Sequence, residues 1–366
     1  VSQVIQFILQ GLQRFDRYLI IVNFSGLLLS IGNVILVLNG QNVLALIIWN
    51  CLLVGTTGFV FVLTSRRLLP EFRLRLSIPG DVWRTVLTYA GSIIAYQSFG
   101  NALLLFERAW IVRNFGTDSL TLYALPMLLC FYFHGLIHNL VIVLFPVVNE
   151  LLNEKEKLLR MYRTATKIIF AITVFFCLST VITGRTVLDV WLGYGFSDRT
   201  YVLLVIHAVT FSILAITIIP WQITESFGKA KANAIMGGTW FVIAVPLMVV
   251  FSQTWQTEGV AIARLAGVVV FLGLVVYAEN WLLGLSSRRF WPKVIVATGG
   301  AAVAASVVEM LIMSVGGNHW AALIVAGTLG AAAFAAGLHL MGFIEEDEWT
   351  VLRNLTPALK RTAAND

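Results

Sequence analysis

Charge is what this chain has least of. Asp, Glu, Lys and Arg make up 12% of its 366 residues, about half of what a soluble domain uses to cover its surface. That shortage excludes an ordinary water-soluble globule. Cysteine is scarce as well: Cys51, Cys130 and Cys177 each fall inside an apolar run, leaving neither a disulfide framework nor a zinc spacing. No phosphate-cradling Gly-rich loop, nucleotide fold or nucleophile–base pair is legible. ATP hydrolysis is therefore not expected, and no cofactor or metal is called for. No charged n-region precedes an apolar stretch at the start, so a removable signal peptide is not expected. The segment Val1–Gln10 reads as the tail of a helix, which favours a true beginning further upstream.

What is present in abundance is apolar sequence. Hydrophobic residues make up 58% and the mean hydropathy is strongly positive. About 20 apolar residues cross a hydrocarbon core as a helix, the geometry that satisfies every backbone N–H and C=O internally. Ten such spans are expected, near 18–38, 42–64, 84–106, 121–148, 165–184, 201–222, 234–252, 259–283, 294–314 and 319–342. The fold class is thus an all-α membrane protein, a polytopic helical bundle. Pro126, Pro220 and Pro246 lie within spans, where kinks serve either a moving transporter or a static bend.

The basic residues test the span count. With the loop Gly11–Arg17 placed in the cytoplasm, 20 of the 25 Lys and Arg fall on that side. The opposite side receives Arg108, Arg113, Arg185 and Arg199, and Arg264 lies inside a span. This asymmetry is the positive-inside pattern, which a missed or invented helix would scramble. The net charge of +6 then faces cytoplasmic anionic headgroups, and no nucleic-acid partner is required. Trp83, Trp191, Trp221, Trp255, Trp281, Trp291 and Trp320 sit near span ends, as interfacial anchors do. The external loops are too short for a catalytic domain. The tail 343–366, with Glu345, Glu346, Asp347 and Glu348 before a short basic stretch, reads as a solvated cytoplasmic end. A weak echo links QGLQRFDR at 10–17 with ESFGKAKA at 225–232, as two lobes related by an axis along the membrane normal would produce.

Charged groups in lipid cost about 2.5–3.5 kcal/mol at a helix centre, so they point into a bundle or a watery cavity. Arg264 and Glu279 share one span and Glu309 lies in another. Gln97, Asn101 and Arg108, four and seven residues apart, form one polar stripe. A stripe ending in Arg suits a cavity that receives a pyrophosphate, which the guanidinium fork fits. The competing reading pairs Arg108 with Glu107 or lets it snorkel to the headgroups. Gln97, Asn101, Arg108, Arg264 and Glu279 are therefore the cavity candidates for substrate binding. His134 and His138 share a face at i, i+4 but lack the Glu of a zinc-peptidase motif, and cavity-lining or packing roles fit them better than metal ligation. Glu225 and Lys229, four apart, read as a local ion pair, and Asp189 beside Trp191 reads as an interfacial turn.

Five stretches carry a resemblance: ILQGLQRF at 8–15, FERAWIVRNFGTDSLTLY at 106–123, FPVVNELLNEKEKLLRMY at 145–162, VLDVWLGYGF at 187–196 and the segment 220–233. In order and spacing they resemble the polysaccharide transporter family, the O-antigen-type flippases of the multidrug/oligosaccharidyl-lipid/polysaccharide exporter superfamily. The resemblance implies a two-lobed exporter-type fold with about three and a half helices before Val1. Residues 1–78 would complete the first lobe, 79–283 form the second, 284–342 add two C-terminal helices, and 343–366 form the tail. It also implies a flippase carrying an undecaprenyl-diphosphate-linked oligosaccharide across a bacterial inner membrane by alternating access. A polysaccharide polymerase and glycosyltransferases would be its partners. Arg108 directly after Glu107 departs from the family pattern, so its role is not inherited. The alternatives are a murein-precursor lipid flippase and a multidrug exporter; the latter is expected to line its cavity with carboxylates.

Overall fold

The computed structural model describes residues 9, 14–68, 80–142, 144–315 and 319–343. Most of the expected helical remnant at 1–10, the basic residues Arg73 and Arg75, and the acidic tail after Phe343 lie outside the described residues. Every regular element among those described is helical. In chain order they are α1 (Phe15–Leu38), α2 (Val43–Leu68), α3 (Gly80–Ile142), α4 (Leu144–Glu150), α5 (Lys155–Leu192), α6 (Phe196–Ile216), α7 (Ile218–Ser226) and α8 (Ala230–Val268). A 3₁₀ turn (Val269–Phe271), α9 (Leu272–Tyr277) and a π-turn (Ala278–Leu283) follow, then α10 (Ser287–Ser314) and α11 (His319–Leu340).

Eight helical runs are long and apolar enough to cross a membrane. Two of them are too long to cross only once. Ala90–Asn153 and Ala230–Leu283 hold 64 and 54 residues, roughly 96 and 81 Å if straight, against a hydrocarbon core of about 30 Å. Each folds back on itself. Within α3, Gly116 takes φ 86°, ψ 173°, a conformation open to glycine and closed to most side chains. The Tyr123 hydroxyl then reaches the Glu107 carboxylate, a contact that 16 residues of straight helix would forbid. Within α8 the break falls at Trp255 and Gln256. Beyond it the Trp240 indole donates to the Arg264 carbonyl at 3.3 Å, though the two are 24 residues apart. Eight long runs thus make the ten spans expected from hydropathy, and the chain is an all-α, multi-pass membrane protein.

The chain divides into two compact units, Val1–Trp83 and Arg84–Asp366. In the first, α1 and α2 form a hairpin closed by Thr57 Oγ1 donating to Ser25 Oγ at 2.9 Å. Its outer faces expose Leu27, Leu52 and Phe59, each about 60%, as lipid-facing helices do. In the second, α5 packs along α6 and against α10, α6 packs on α8, and α10 and α11 pair. Lipid tails are as apolar as leucine, so close packing rather than hydrophobic transfer drives helices together. The α5–α10–α11 core is accordingly built on Ala171, Ala297, Ala301, Ala302 and Ala305.

Most of the tryptophan anchors stand where expected. Trp191, Trp255, Trp281 and Trp320 are 47–79% exposed. Trp221 and Trp291 do something else. Both are partly buried, with indoles donating to the carboxylates of Glu225 and Glu279. Trp221 leaves Glu225 no use for Lys229: the carboxylate is held by Trp221 at 2.9 Å, Asn233 at 3.5 Å and the Tyr96 hydroxyl. The expected i, i+4 ion pair does not form, because three inward donors outcompete one solvated ammonium. Asp189 accepts from the amide and hydroxyl of Ser197, each at 2.9 Å, and so builds the turn into α6.

Candidate functional site

A helix turns about 100° per residue, so neighbours in sequence face different directions. On the first arm of α3 this separates two polar sets. Gln97, Asn101 and Arg108 lie on the exposed face, with Leu105, 68% exposed, between the last two. Leu103, Glu107 and Ile111 lie on the opposite face and are buried. The stripe expected from spacing is thus one continuous exposed surface. The adjacent Glu107 is not part of it and is no partner for Arg108.

Glu107 instead forms the centre of a closed polar cluster. One carboxylate oxygen accepts from the Tyr123 hydroxyl and the other from Arg264 Nη1. The Arg264 guanidinium carbon lies over two aromatic rings, 5.6 Å from the Phe211 ring centre and 5.3 Å from that of Trp240, within cation–π range of both. His207 packs edge-on against Tyr123 at 4.7 Å. Its two ring nitrogens and Arg264 Nε find no hydrogen-bond partner among the described residues. Glu107, Tyr123 and Arg264 lie seven to nine residues from the turns at Gly116 and Trp255–Gln256, roughly 10–14 Å along the helix axes. They meet at one depth. Desolvating two charges costs several kcal/mol per ion and is offset only by close geometry and further hydrogen bonds. The cluster supplies both.

Glu279 lies 15 residues beyond Arg264, roughly 22 Å at helical rise, and belongs to a second buried centre. It accepts from Tyr162 Oη at 3.0 Å and, through both oxygens, from Trp291 Nε1 at 3.0 Å. Glu309 is a third: Ser179 donates to it at 2.6 Å, and its other oxygen finds no partner among the described residues. The five cavity candidates therefore fall in three places. Gln97, Asn101 and Arg108 share an exposed face, while Arg264 and Glu279 are each buried among protein donors and rings. His134 lies 5.9 Å from the Phe211 ring; among the described residues no group of His, Cys, Asp and Glu is placed to hold a metal.

Sequence reasoning missed Glu107, Tyr123 and His207. A usable signal existed. Arg264 is the Lys or Arg expected deepest within a span, and an intramembrane charge needs an opposite one at its own depth. Glu107 satisfies that condition, but its sequence neighbour Arg108 drew the assignment.

By sequence, residues 1–201 match the family model described as "Polysaccharide biosynthesis protein". No curated protein matches the chain. Among solved structures, it is similar to lipid II flippase MurJ in its inward closed conformation, with a TM-score of 0.62 at 12% identity. That alignment covers 86% of this chain and 64% of the flippase, so the chain spans less than two thirds of that protein's length. At such identity the likeness concerns the fold alone. The family match spans more than half of the residues, and the chain belongs to the polysaccharide biosynthesis protein family.

Proposed function

We propose that this protein is a flippase that carries a lipid-linked oligosaccharide across the bacterial inner membrane. The substrate is an undecaprenyl-diphosphate-linked unit of O-antigen, capsule or exopolysaccharide. It is taken up in the cytoplasmic leaflet and released in the periplasmic one by alternating access. The observation that carries this reading is the exposed stripe of Gln97, Asn101 and Arg108 on a membrane helix. A guanidinium left uncovered on such a helix is costly unless it meets water or an anion. Arg108 offers a fork for phosphate oxygens, and the two amides offer donors and acceptors for sugar hydroxyls. Membership of a polysaccharide biosynthesis family supports the reading, as does a fold shared with a lipid II flippase.

The reading is transport and not catalysis. Substrate would come from glycosyltransferases on the cytoplasmic side and pass to a polysaccharide polymerase outside. Residues 1–78 would belong to the first lobe and 79–283 to the second, with 284–342 as two additional helices. In a deletion strain, lipid-linked sugar should accumulate in the inner leaflet; an unchanged distribution between leaflets would overturn the proposal.

A second reading, a murein-precursor flippase, is favoured by the lipid II flippase fold alone. Rescue of a strain depleted of its own murein flippase would select it. A cationic-drug exporter fits less well, because the span carboxylates Glu107, Glu279 and Glu309 are all buried.

A further inference from the structure

Glu309 sits at the joint of α5, α10 and α11 and is 1% exposed. Its α10 neighbours Val307, Met310 and Leu311 are 51–62% exposed, so the helix around it faces lipid. Ser179 of α5 donates to Glu309 Oε1 at 2.6 Å, and Oε2 finds no partner among the described residues. Gly330 of α11 completes the seat: a methyl group added there would fall 2.5 Å from Oε1 and 2.7 Å from Cγ. The other buried span carboxylates have more donors. Glu107 meets Arg264 and Tyr123, and Glu279 accepts from Tyr162 and through both oxygens from Trp291. Glu309 has one hydroxyl.

The elements packed on α10 bring no charge to its depth. On α5 the nearest cations are Arg185, six residues beyond Ser179 and paired with Asp198 at 3.5 Å, and Lys167, twelve before it. Cys177 packs instead into the core shared by α3, α6 and α8. The titratable groups of α11 are His319 and His339, eleven and nine residues from Gly330. On α10 the nearest cation is Lys293, 16 residues back. These separations are roughly 9–24 Å along the helix axes. An ionised carboxylate is an acceptor only, and burying it with neither a cation nor a full set of donors costs far more than burying the neutral acid. The neutral acid needs only what is present: one oxygen that accepts, and one that carries hydrogen. We propose that Glu309 binds a proton, and that the neutral acid closes α5, α10 and α11 around it. Loss of the proton leaves an unpaired charge in the joint and loosens it. Ser314, the outer end of α10 by the distribution of Lys and Arg, is five residues on, roughly 8 Å, so the external solution is the nearer proton source. The inference goes beyond transport and holds whatever the protein carries.

The full chain in detergent is melted at pH 5 and pH 8, in choline chloride and in sodium chloride. Wild type is compared with Glu309→Gln, which keeps the shape of the acid but has no proton to lose. The folded protein holds a proton that the unfolded chain releases at neutral pH, so wild type loses stability as pH rises. From pH 5 to pH 8 it should fall relative to the variant by about 5 °C or more in either salt. A gap that does not move with pH, or moves the other way, would overturn the proposal. A loss at pH 8 that sodium restores and choline does not would assign the site to a metal cation, and overturns it as well. Should the variant not fold, wild type alone decides. Dicyclohexylcarbodiimide, which reacts with protonated carboxyls in apolar surroundings, should modify Glu309 about fivefold more than the ion-paired Glu107, read by peptide mass spectrometry. Equal modification of the two, or none at Glu309, would sink the idea.

Discussion

Glu107 and Arg264 are 157 residues apart in the chain and meet as a buried ion pair, with side chains 0% and 7% exposed. The pair joins the first arm of α3 to the segment beyond the break in α8, and Tyr123 and Trp240 hold it from either side. Removing one member of such a pair strands the other, a cost of about 3–5 kcal/mol. Arg264→Met or Glu107→Leu should therefore lower the thermal midpoint of the detergent-solubilised protein by roughly 5 °C or more, at about 2–4 °C per kcal/mol. The triple variant Glu107→Leu/Arg264→Met/Tyr123→Phe removes every stranded group and should recover most of the loss. Single variants as stable as wild type would mean that the pair contributes nothing to holding these segments together.

Arg108 is the opposite case, an exposed group whose loss leaves nothing buried and unpaired. Arg108→Ala should change stability by no more than about 0.5 kcal/mol while cutting translocation of lipid-linked sugar about tenfold or more. Arg108→Lys should fall between, since an ammonium keeps the charge but loses the two-pronged fit to phosphate. The check is a leaflet-resolved assay of the lipid-linked sugar beside a melting curve. Full translocation in both variants would remove Arg108 from the mechanism.

These two residues show what the sequence could and could not reveal. The ten spans were legible because lipid imposes the same length and apolarity on every crossing, and the Lys and Arg count checked them independently. Even the folding back of α3 was foreseeable, since 84–106 and 121–148 are separate apolar runs. The long-range pairing was not. Glu107 beside Arg108 suggests a local contact, and only the rotation of 100° per residue, set by which face of α3 packs inward, sends one to Arg264 and the other outward. Glu225 misled in the same way. Its i, i+4 neighbour Lys229 suggests a helix-surface pair, yet the carboxylate turns to Trp221, one turn back on α7, and to Asn233 and Tyr96 from neighbouring elements. Glu279 was legible as an intramembrane charge but not as a buried one, because its donors Tyr162 and Trp291 come from α5 and α10.

That placement of Glu279 carries its own expectation. Trp291, at the start of the second turn of α10, contacts the π-turn, so the carboxylate fastens the C-terminal hairpin to the rest of the unit. Trp291→Phe keeps an aromatic ring against Phe170, which lies 5.3 Å away, but removes the donor. Loss of a hydrogen bond to a buried carboxylate should cost about 1–3 kcal/mol. Tyr162→Phe should cost the same order. Limited proteolysis should then cut the 284–286 connection faster in both variants than in wild type. Unchanged cleavage would show that Glu279 does not restrain the hairpin.

Within the hairpin itself the contact is steric. A methyl group added at Gly337 would lie 2.8 Å from the Ala301 Cα and 3.0 Å from its Cβ, so relief requires the α10 and α11 backbones to separate. Small residues at such a crossing are what allow membrane helices to approach closely. Gly337→Ala should destabilise by about 1–3 kcal/mol through overpacking, despite the gain of up to about 1 kcal/mol that alanine brings to a helix. Gly327, on the same helix, has nothing within 4 Å of its added methyl, and Gly327→Ala should be neutral or slightly stabilising. The two variants have identical composition, so a difference in melting temperature isolates the crossing. If Gly337→Ala melts with Gly327→Ala, the two helices are free to move apart and the close crossing is not what holds them.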